Sequence, residues 1–169
     1  MSNAACVRGA EPSELDAICH VVAAAFKRVE EANLVAQLVS DQDVWMSLVA
    51  ELDGAIVGNV IVSPIRLEPA GALTCGGVAP LSVTPGLQGR GIGSQLMFAM
   101  IERCRVMSID VLFLLGHPAY YHGFGFRRSR IGNEYGATDS FMELALTPGC
   151  LDHVTADAYY AKAFHETGA

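Results

Sequence analysis

The feature that most constrains the fold is a glycine-rich loop that separates two apolar segments. PLSVTPGLQGRGIGSQL, at 80–96, passes from an extended stretch into a helical pattern of about fifteen residues. DVLFLLG, at 110–116, is a continuous apolar run, which is typical of a central strand buried on both faces. A strand, a crossover helix and a second strand predict parallel pairing, because the chain must return to the same end of the sheet.

Two amphipathic helices are predicted at the start of the chain. Apolar residues recur at helical spacing over 13–28, and a weaker pattern of the same kind covers 31–39. Ser13 is followed three residues later by Asp16, which predicts a capping box at the start of the first helix.

Antiparallel strands are predicted between these helices and the glycine loop. Asp53-Gly54 separates two β-rich runs, as the two-residue turn of a hairpin requires. A third extended segment, 72–85, is expected to be interrupted at Gly76-Gly77. Pro80 predicts a bulge or an edge there, because proline cannot donate a hydrogen bond to a neighbouring strand.

The rest of the chain fits the same domain. The pattern predicts a short helix that ends at Gly123 or Gly125, then strands at 126–131 and 140–146. A chain of 169 residues is the size of one domain, so residues 1–169 are predicted to form a single α/β domain with one mixed sheet.

Composition argues against several classes of protein. The formal net charge of -7 opposes binding to nucleic acid. The five cysteines lack metal-ligand spacing and are odd in number, which predicts reduced thiols, no metal site and a cytoplasmic location. We also expect no membrane association, because no leader pattern or long apolar run occurs.

The loop Gln88 to Gly93 is suited to hold an anion. A helix N-terminus presents unpaired N–H groups and positive dipole charge, and glycines let phosphate approach closely. A Walker A loop is excluded because no lysine follows the glycines. A dinucleotide fingerprint would need glycine at position 94, where Ser94 stands. A tight strand-to-helix turn without a ligand is the remaining alternative for the glycines alone.

The wider pattern resembles a known family. PLSVTPGLQGRGIGSQL followed by LLGHPAYYHGFGF is similar to the GNAT superfamily of N-acetyltransferases, in a bacterial branch with PLxV, QGxGIG and YYxxFGF segments. Gln88, Gly91 and Gly93 occupy the [QR]xxGx[GA] positions, and the resemblance covers roughly 45–146. It implies a mostly antiparallel sheet, flanked by helices, with a splayed parallel pair of strands.

The resemblance also implies acetyl-CoA as the acyl donor, with no metal. The loop amides would hold the coenzyme pyrophosphate, and the free strand edge near 81–83 would hold the pantetheine arm. The implied coenzyme-binding residues are Leu81, Ser82, Val83, Gln88, Gly89, Arg90, Gly91, Ile92, Gly93 and Ser94.

Acyl transfer to an amine requires proton transfers in two places. The amine, with a pKa of about 10.4, must lose a proton, and the leaving thiolate gains from a nearby acid. Tyr121, five residues before Phe126, holds the position where the family places its acid, whereas Tyr120 is assigned to packing. His117 is the candidate base. An alternative that is at least as favoured is that His117 is a polar residue that caps the following turn. Glu51 is a second candidate base, but the preferred interpretation is that Glu51 is a solvated charge.

The predicted function is acetyl transfer from acetyl-CoA to a primary amine within a ternary complex. The predicted acceptor is a small-molecule amine or a peptide amine, and the resemblance implies that helices one and two and the loop near 132–140 shape its pocket. A non-catalytic acyl-CoA-binding regulatory module is the alternative. The oligomeric state, monomer or homodimer, is left open.

Overall fold

The computed structural model describes residues 4–169, so the first three residues of the predicted domain lie outside the described part. This part contains a nine-stranded sheet with helices on both faces. The strands are β1 (Cys6–Gly9), β2 (Met46–Leu52), β3 (Ala55–Glu68), β4 (Cys75–Val83), β5 (Val111–Leu115), β6 (Arg127–Arg128), β7 (Gly132–Asn133), β8 (Phe141–Ala145) and β9 (Asp157–Tyr159). The helices are α1 (Leu15–Phe26), α2 (Glu30–Ser40), α3 (Ile92–Val106), α4 (Pro118–Tyr121) and α5 (Ala163–Thr167).

The sheet is mixed and mostly antiparallel, as predicted. Its main path runs β1-β2-β3-β4-β5-β8-β6, while β9 pairs with β3 and β7 with β9. The central pair, β4 and β5, is parallel and is connected through α3, which confirms the predicted crossover. The short β7–β9 pair is also parallel. One apolar core lies between the sheet and α3, and a second lies between the sheet and α1, α2 and α5.

The hairpin between β2 and β3 is formed as predicted. Leu52 pairs with Ala55 across the turn. Asp53 and Gly54 have φ angles of 51° and 80°, the left-handed conformation that a tight hairpin turn needs at both central positions.

The prediction that the strand is interrupted at Gly76-Gly77 was wrong. Both glycines lie within β4, and Gly76 pairs with Pro64 on one side and Leu112 on the other. A Cβ at Gly76 would lie 2.8 Å from Val62 Cγ1, so the glycine permits close packing on the neighbouring strand. Sequence patterns could not distinguish this close approach from a break.

Strands β4 and β5 separate near the predicted irregularity at Pro80. Val62 faces Val78 and Val60 faces Leu81, so two residues of β4 occupy the space opposite one residue of β3. This bulge confirms the expectation for proline. Pairing with β5 ends at Gly77, although β4 continues to Val83. The two strands therefore leave a gap between them.

The start of α1 differs from the predicted cap. A 3-10 turn at Pro12–Glu14 precedes the helix, and the Glu14 carboxylate accepts a hydrogen bond of 2.8 Å from the backbone N–H of Glu11. The capping prediction for Ser13 and Asp16 was wrong, because Pro12 presets a helical φ and the turn begins earlier.

The C-terminal elements follow the prediction in part. The short helix α4 continues as a 3-10 turn that ends at Gly125, whose φ is 94°. The two predicted strands are shorter than expected, as β6 and β8, and pair antiparallel. Elements β1, β7, β9 and α5 were not predicted from the sequence. No helix within residues 4–169 is long and apolar enough to cross a membrane.

Candidate active site

The glycine loop opens a cleft at the start of α3. Gly91 is the residue before the helix and has a φ of 85°, while Gly89 has a φ of 76°. Other residues adopt this conformation at a cost of about 1–2 kcal/mol. A Cβ at either glycine would meet no atom within 4 Å, so the space beside the loop is open.

The loop presents a run of unpaired backbone donors. The first backbone hydrogen bond of the helix runs from Gln95 N to Gly91 O, at 3.0 Å. Within the described chain, no residue accepts a hydrogen bond from the backbone N–H groups of Gly89 to Ser94. These donors lie at the positive end of a fifteen-residue helix, which favours an anionic ligand.

The cleft has a volume of about 480 Å³ and adjoins the end of β4. The residues that line it are Leu81, Ser82, Val83, Gln88, Gly89, Gly91, Gly93, Ser94 and Tyr120. The structure thus brings together the predicted coenzyme residues except two. Arg90 is exposed and does not line the cleft, and the Ile92 side chain is buried in the core beneath it.

Gln88 connects the loop to the strand. Its Nε2 donates a hydrogen bond of 3.0 Å to the backbone carbonyl of Val83. The side chain therefore fixes the loop against the end of β4 and leaves the cleft to main-chain groups. The sequence interpretation gave Gln88 a role through its backbone only.

A second cavity, of about 510 Å³, lies on the other side of the gap between β4 and β5. Its walls come from α1, α2, β4, β5, α4, the 135–140 loop and the C-terminal segment. The lining residues are Phe26, Glu31, Leu34, Val78, Ala79, Pro80, Leu81, Leu115, Tyr121, Tyr135, Ala137, Ser140, Tyr160, Phe164 and Ala169. Leu81 lines both cavities, so they adjoin at this residue.

Two adjacent tyrosines line different cavities. Tyr120 lines the cleft, where a Cβ at Gly93 would lie 2.8 Å from its hydroxyl, and Tyr121 lines the second cavity. Their ring centroids are 4.9 Å apart and the rings are nearly perpendicular. Tyr120 was assigned to packing alone, and its place in the α4 sequence gave no signal of the cleft.

The Tyr121 hydroxyl keeps its proton over a wide pH range. Burial, with a smaller contribution from Tyr120, raises the pKa of Tyr121 to about 12. A Cβ at Gly116 would overlap the Tyr121 ring, and Phe126 contacts the ring edge-on, with centroids 6.1 Å apart. Packing on both sides thus fixes the ring.

The two candidate bases lie outside both cavities. The His117 side chain is exposed, and the residue opens α4 by accepting hydrogen bonds at its backbone carbonyl from the N–H groups of Tyr120 and Tyr121, at 3.1 and 3.3 Å. Glu51 accepts hydrogen bonds of 3.0 and 2.7 Å from the Arg8 guanidinium. Neither side chain lines the cleft or the second cavity.

One acidic residue of the second cavity was not predicted from the sequence. Glu31, in the first turn of α2, is only 6% exposed. Its Oε1 is bonded to Arg28, whereas Oε2 is buried without a hydrogen-bond partner in the described residues. The available signal was its position three residues before Leu34 on the apolar face of α2. No group of three or more His, Cys, Asp or Glu that could hold a metal occurs within residues 4–169.

Comparison with known proteins identifies the family to which the chain belongs. The sequence profile of the family described as "Acetyltransferase (GNAT) domain" matches residues 6–129, and the chain belongs to this family. It is 34% identical over 119 residues to the uncharacterized N-acetyltransferase YjhQ of Escherichia coli strain K12. That alignment covers 68% of this chain and 66% of the relative, so the chain spans just under two thirds of the relative's length.

Two solved structures share the whole fold. The first is the GNAT family N-acetyltransferase YhbS from Escherichia coli in complex with CoA, with a TM-score of 0.90 and 28% identity over 95% of this chain and 92% of that one. The second is a GNAT family acetyltransferase from Brucella melitensis in complex with acetyl-CoA, with a TM-score of 0.82 and 31% identity over 95% and 98% of the two chains.

Proposed function

We propose that this protein transfers an acetyl group from acetyl-CoA to a primary amine by direct attack within a ternary complex. The observation that carries the proposal is the row of unpaired amides from Gly89 to Ser94, which lines a cleft at the start of α3. Two structural relatives are complexes with CoA and acetyl-CoA, which supports a coenzyme in this cleft.

The chemical groups of the coenzyme match the groups that line the cleft. Its pyrophosphate accepts hydrogen bonds from the loop amides, and the positive end of α3 stabilises its charge. The pantetheine arm runs along β4 at Leu81 to Val83, where the strand has separated from β5. The thioester then lies near Leu81, which both cavities share.

The acceptor amine enters from the second cavity. Its neutral nitrogen attacks the thioester carbonyl, a C–N bond forms, and the C–S bond breaks as the tetrahedral intermediate collapses. The sulfur leaves with the electron pair of that bond and needs a proton. Tyr121 lines this cavity and supplies the proton, so it acts as the general acid.

The pKa of about 12 for Tyr121 suits this task when the leaving thiolate is also withdrawn from water. A thiolate with a pKa of about 8.5 in water would be a poor acceptor for that proton. Burial raises the pKa of the Cys75 and Cys104 thiols in this same protein to about 12. Loss of water around the coenzyme thiolate would raise its pKa in the same direction and bring it closer to that of Tyr121.

Proton removal from the amine requires water. His117 is exposed and lines neither cavity, so we propose that it accepts the proton only through a water relay. The protein has five free cysteines within residues 4–169, and we propose the reducing cytoplasm as its location.

Calorimetry and a thiol-release assay test the proposal. We expect coenzyme A to bind the purified protein, and acetyl-CoA to release thiol in the presence of a panel of primary amines but not of matched alcohols. Binding without turnover on any amine would indicate the non-catalytic acyl-CoA-binding module instead. Absence of coenzyme binding would refute both.

A further inference from the structure

Among the described residues that line the second cavity, Glu31 has the one carboxylate side chain, and that group is incompletely paired. We propose that Glu31 binds the ammonium group of the acceptor and that the cavity selects amines whose remaining body is apolar and uncharged. This assignment rests on the proposed function, because it names the substrate class of that same site.

The first argument is that the Glu31 carboxylate is buried and only partly paired. Its side chain is 8% exposed, and Arg28, itself half exposed, pairs with Oε1 alone. Oε2 is buried without a partner in the described chain. A buried acceptor left without a hydrogen-bond partner is destabilising, and more so when it is charged. An ammonium group in the cavity would remove this cost, because it supplies three donors and the opposite charge.

The charge of the wall is the second argument. None of the lining residues is lysine, arginine or histidine. An acceptor that carries a carboxylate, such as a free amino acid, would therefore find no cationic partner in the wall and would be repelled by Glu31. Like charge in a partly desolvated site discriminates strongly against the wrong ligand.

The third argument is that the rest of the cavity wall is largely apolar and aromatic, which favours an acceptor with an apolar body. The Tyr160 ring centroid lies 5.7 Å from that of Tyr135 and 4.9 Å from that of Phe164, which makes an aromatic surface. Leu34 and Val78 are apolar parts of the same wall. The Tyr160 hydroxyl is buried without a partner among the described residues, and burial raises its pKa, so it remains a donor. A volume of about 510 Å³ accommodates a small molecule.

The test uses three ligands that share one phenyl-ethyl body. 2-Phenylethylamine carries the ammonium, 2-phenylethanol has a neutral hydroxyl, and L-phenylalanine adds a carboxylate to the amine. Each is titrated by calorimetry into the wild-type protein, both with saturating coenzyme A and without it. We expect 2-phenylethylamine to bind at least about tenfold more tightly than either of the other two ligands.

The variant Glu31→Gln removes the charge and keeps the shape. It should weaken 2-phenylethylamine binding at least about tenfold and leave 2-phenylethanol binding unchanged. Glu30→Gln is the matched control, because Glu30 is the neighbouring acid on α2 and does not line the cavity. This control should bind all three ligands as the wild type does.

The outcomes separate the two proposals. If coenzyme A binds and amines are acetylated, but Glu31→Gln binds 2-phenylethylamine as the wild type does, the role of Glu31 is refuted and the proposed function stands. Equal affinity of the wild type for 2-phenylethylamine and L-phenylalanine would also refute it, and that comparison needs no variant. If coenzyme A does not bind, the proposed function fails, while the coenzyme-free titrations still test Glu31.

Discussion

The two cavities that meet at Leu81 are built in different ways. The cleft at the start of α3 comes mainly from the main chain of one continuous segment, with Tyr120 as the exception. The second cavity comes from side chains on seven separate parts of the chain. A site made of backbone amides is specified by local sequence, whereas a site made of distant side chains exists only once the whole fold is formed.

The adjacent tyrosines offer the strongest test of this division. Tyr121→Phe should lower kcat by about 10²–10⁴-fold, because it removes a general acid, and it should leave coenzyme affinity unchanged. Tyr120→Phe, on the cleft side, should leave kcat within severalfold of the wild type. Thiol release under saturating substrates and calorimetry with coenzyme A measure both. Equal turnover in the wild type and Tyr121→Phe would exclude Tyr121 from the chemistry.

Displacing the Tyr121 ring should have the next largest effect. An alanine at Gly116 would place its Cβ against that ring, so Gly116→Ala should move the hydroxyl and lower kcat by about 10 to 100-fold. Coenzyme affinity should be retained, because the glycine loop is untouched. Gly123→Ala is the control, since a Cβ there meets no atom within 4 Å. A Gly116→Ala protein with normal kcat would show that the position of the ring does not matter.

A change confined to the backbone site should affect the coenzyme alone. Gly91→Ala forces a side chain into a positive φ at a cost of about 1–2 kcal/mol, and its methyl group enters the cleft. We expect coenzyme affinity to fall about tenfold, while 2-phenylethylamine binding in the absence of coenzyme stays the same. Gly86→Ala, in the same loop but at an ordinary φ, should have no effect. An unchanged Kd for coenzyme A in Gly91→Ala would argue against the loop as its site.

The smallest effect concerns the attachment of α1, which brings Phe26 to the second cavity. Hydrogen bonding to Arg8 lowers the pKa of Glu14 from its ordinary 4.5 to about 2. A lowered pKa in the folded state contributes stability above about pH 4.5 that is lost as the pH falls toward 2. Glu14→Gln should therefore have a slightly lower melting temperature than the wild type at pH 7, and the difference should vanish near pH 2. A difference independent of pH would contradict this.

The same division explains what the sequence could predict. The hairpin at Asp53-Gly54, helix α3 and strand β5 follow from local chemistry, namely turn residues and apolar periodicity. The residues around the cleft could be predicted because the glycines and the motif that resembles the family lie in one short segment. Those predictions needed no knowledge of distant contacts.

The failures at Gly76-Gly77 and Glu31 involve distant neighbours. Val62 packs against Gly76, and the sequence does not show this contact. Glu31 was missed because its significance depends on Tyr160 and on the gap between β4 and β5, which lie far along the chain. A charged residue on an apolar helical face was the one signal available.

The gap between β4 and β5 also bears on how such a protein can change its task. If donor and acceptor occupy the two cavities as proposed, they share little wall, and substitutions in α2 or in the 135–140 loop should change the amine that is accepted without weakening donor binding. A designer who wants a new acylation specificity should therefore mutate the helical side and keep the glycine loop intact.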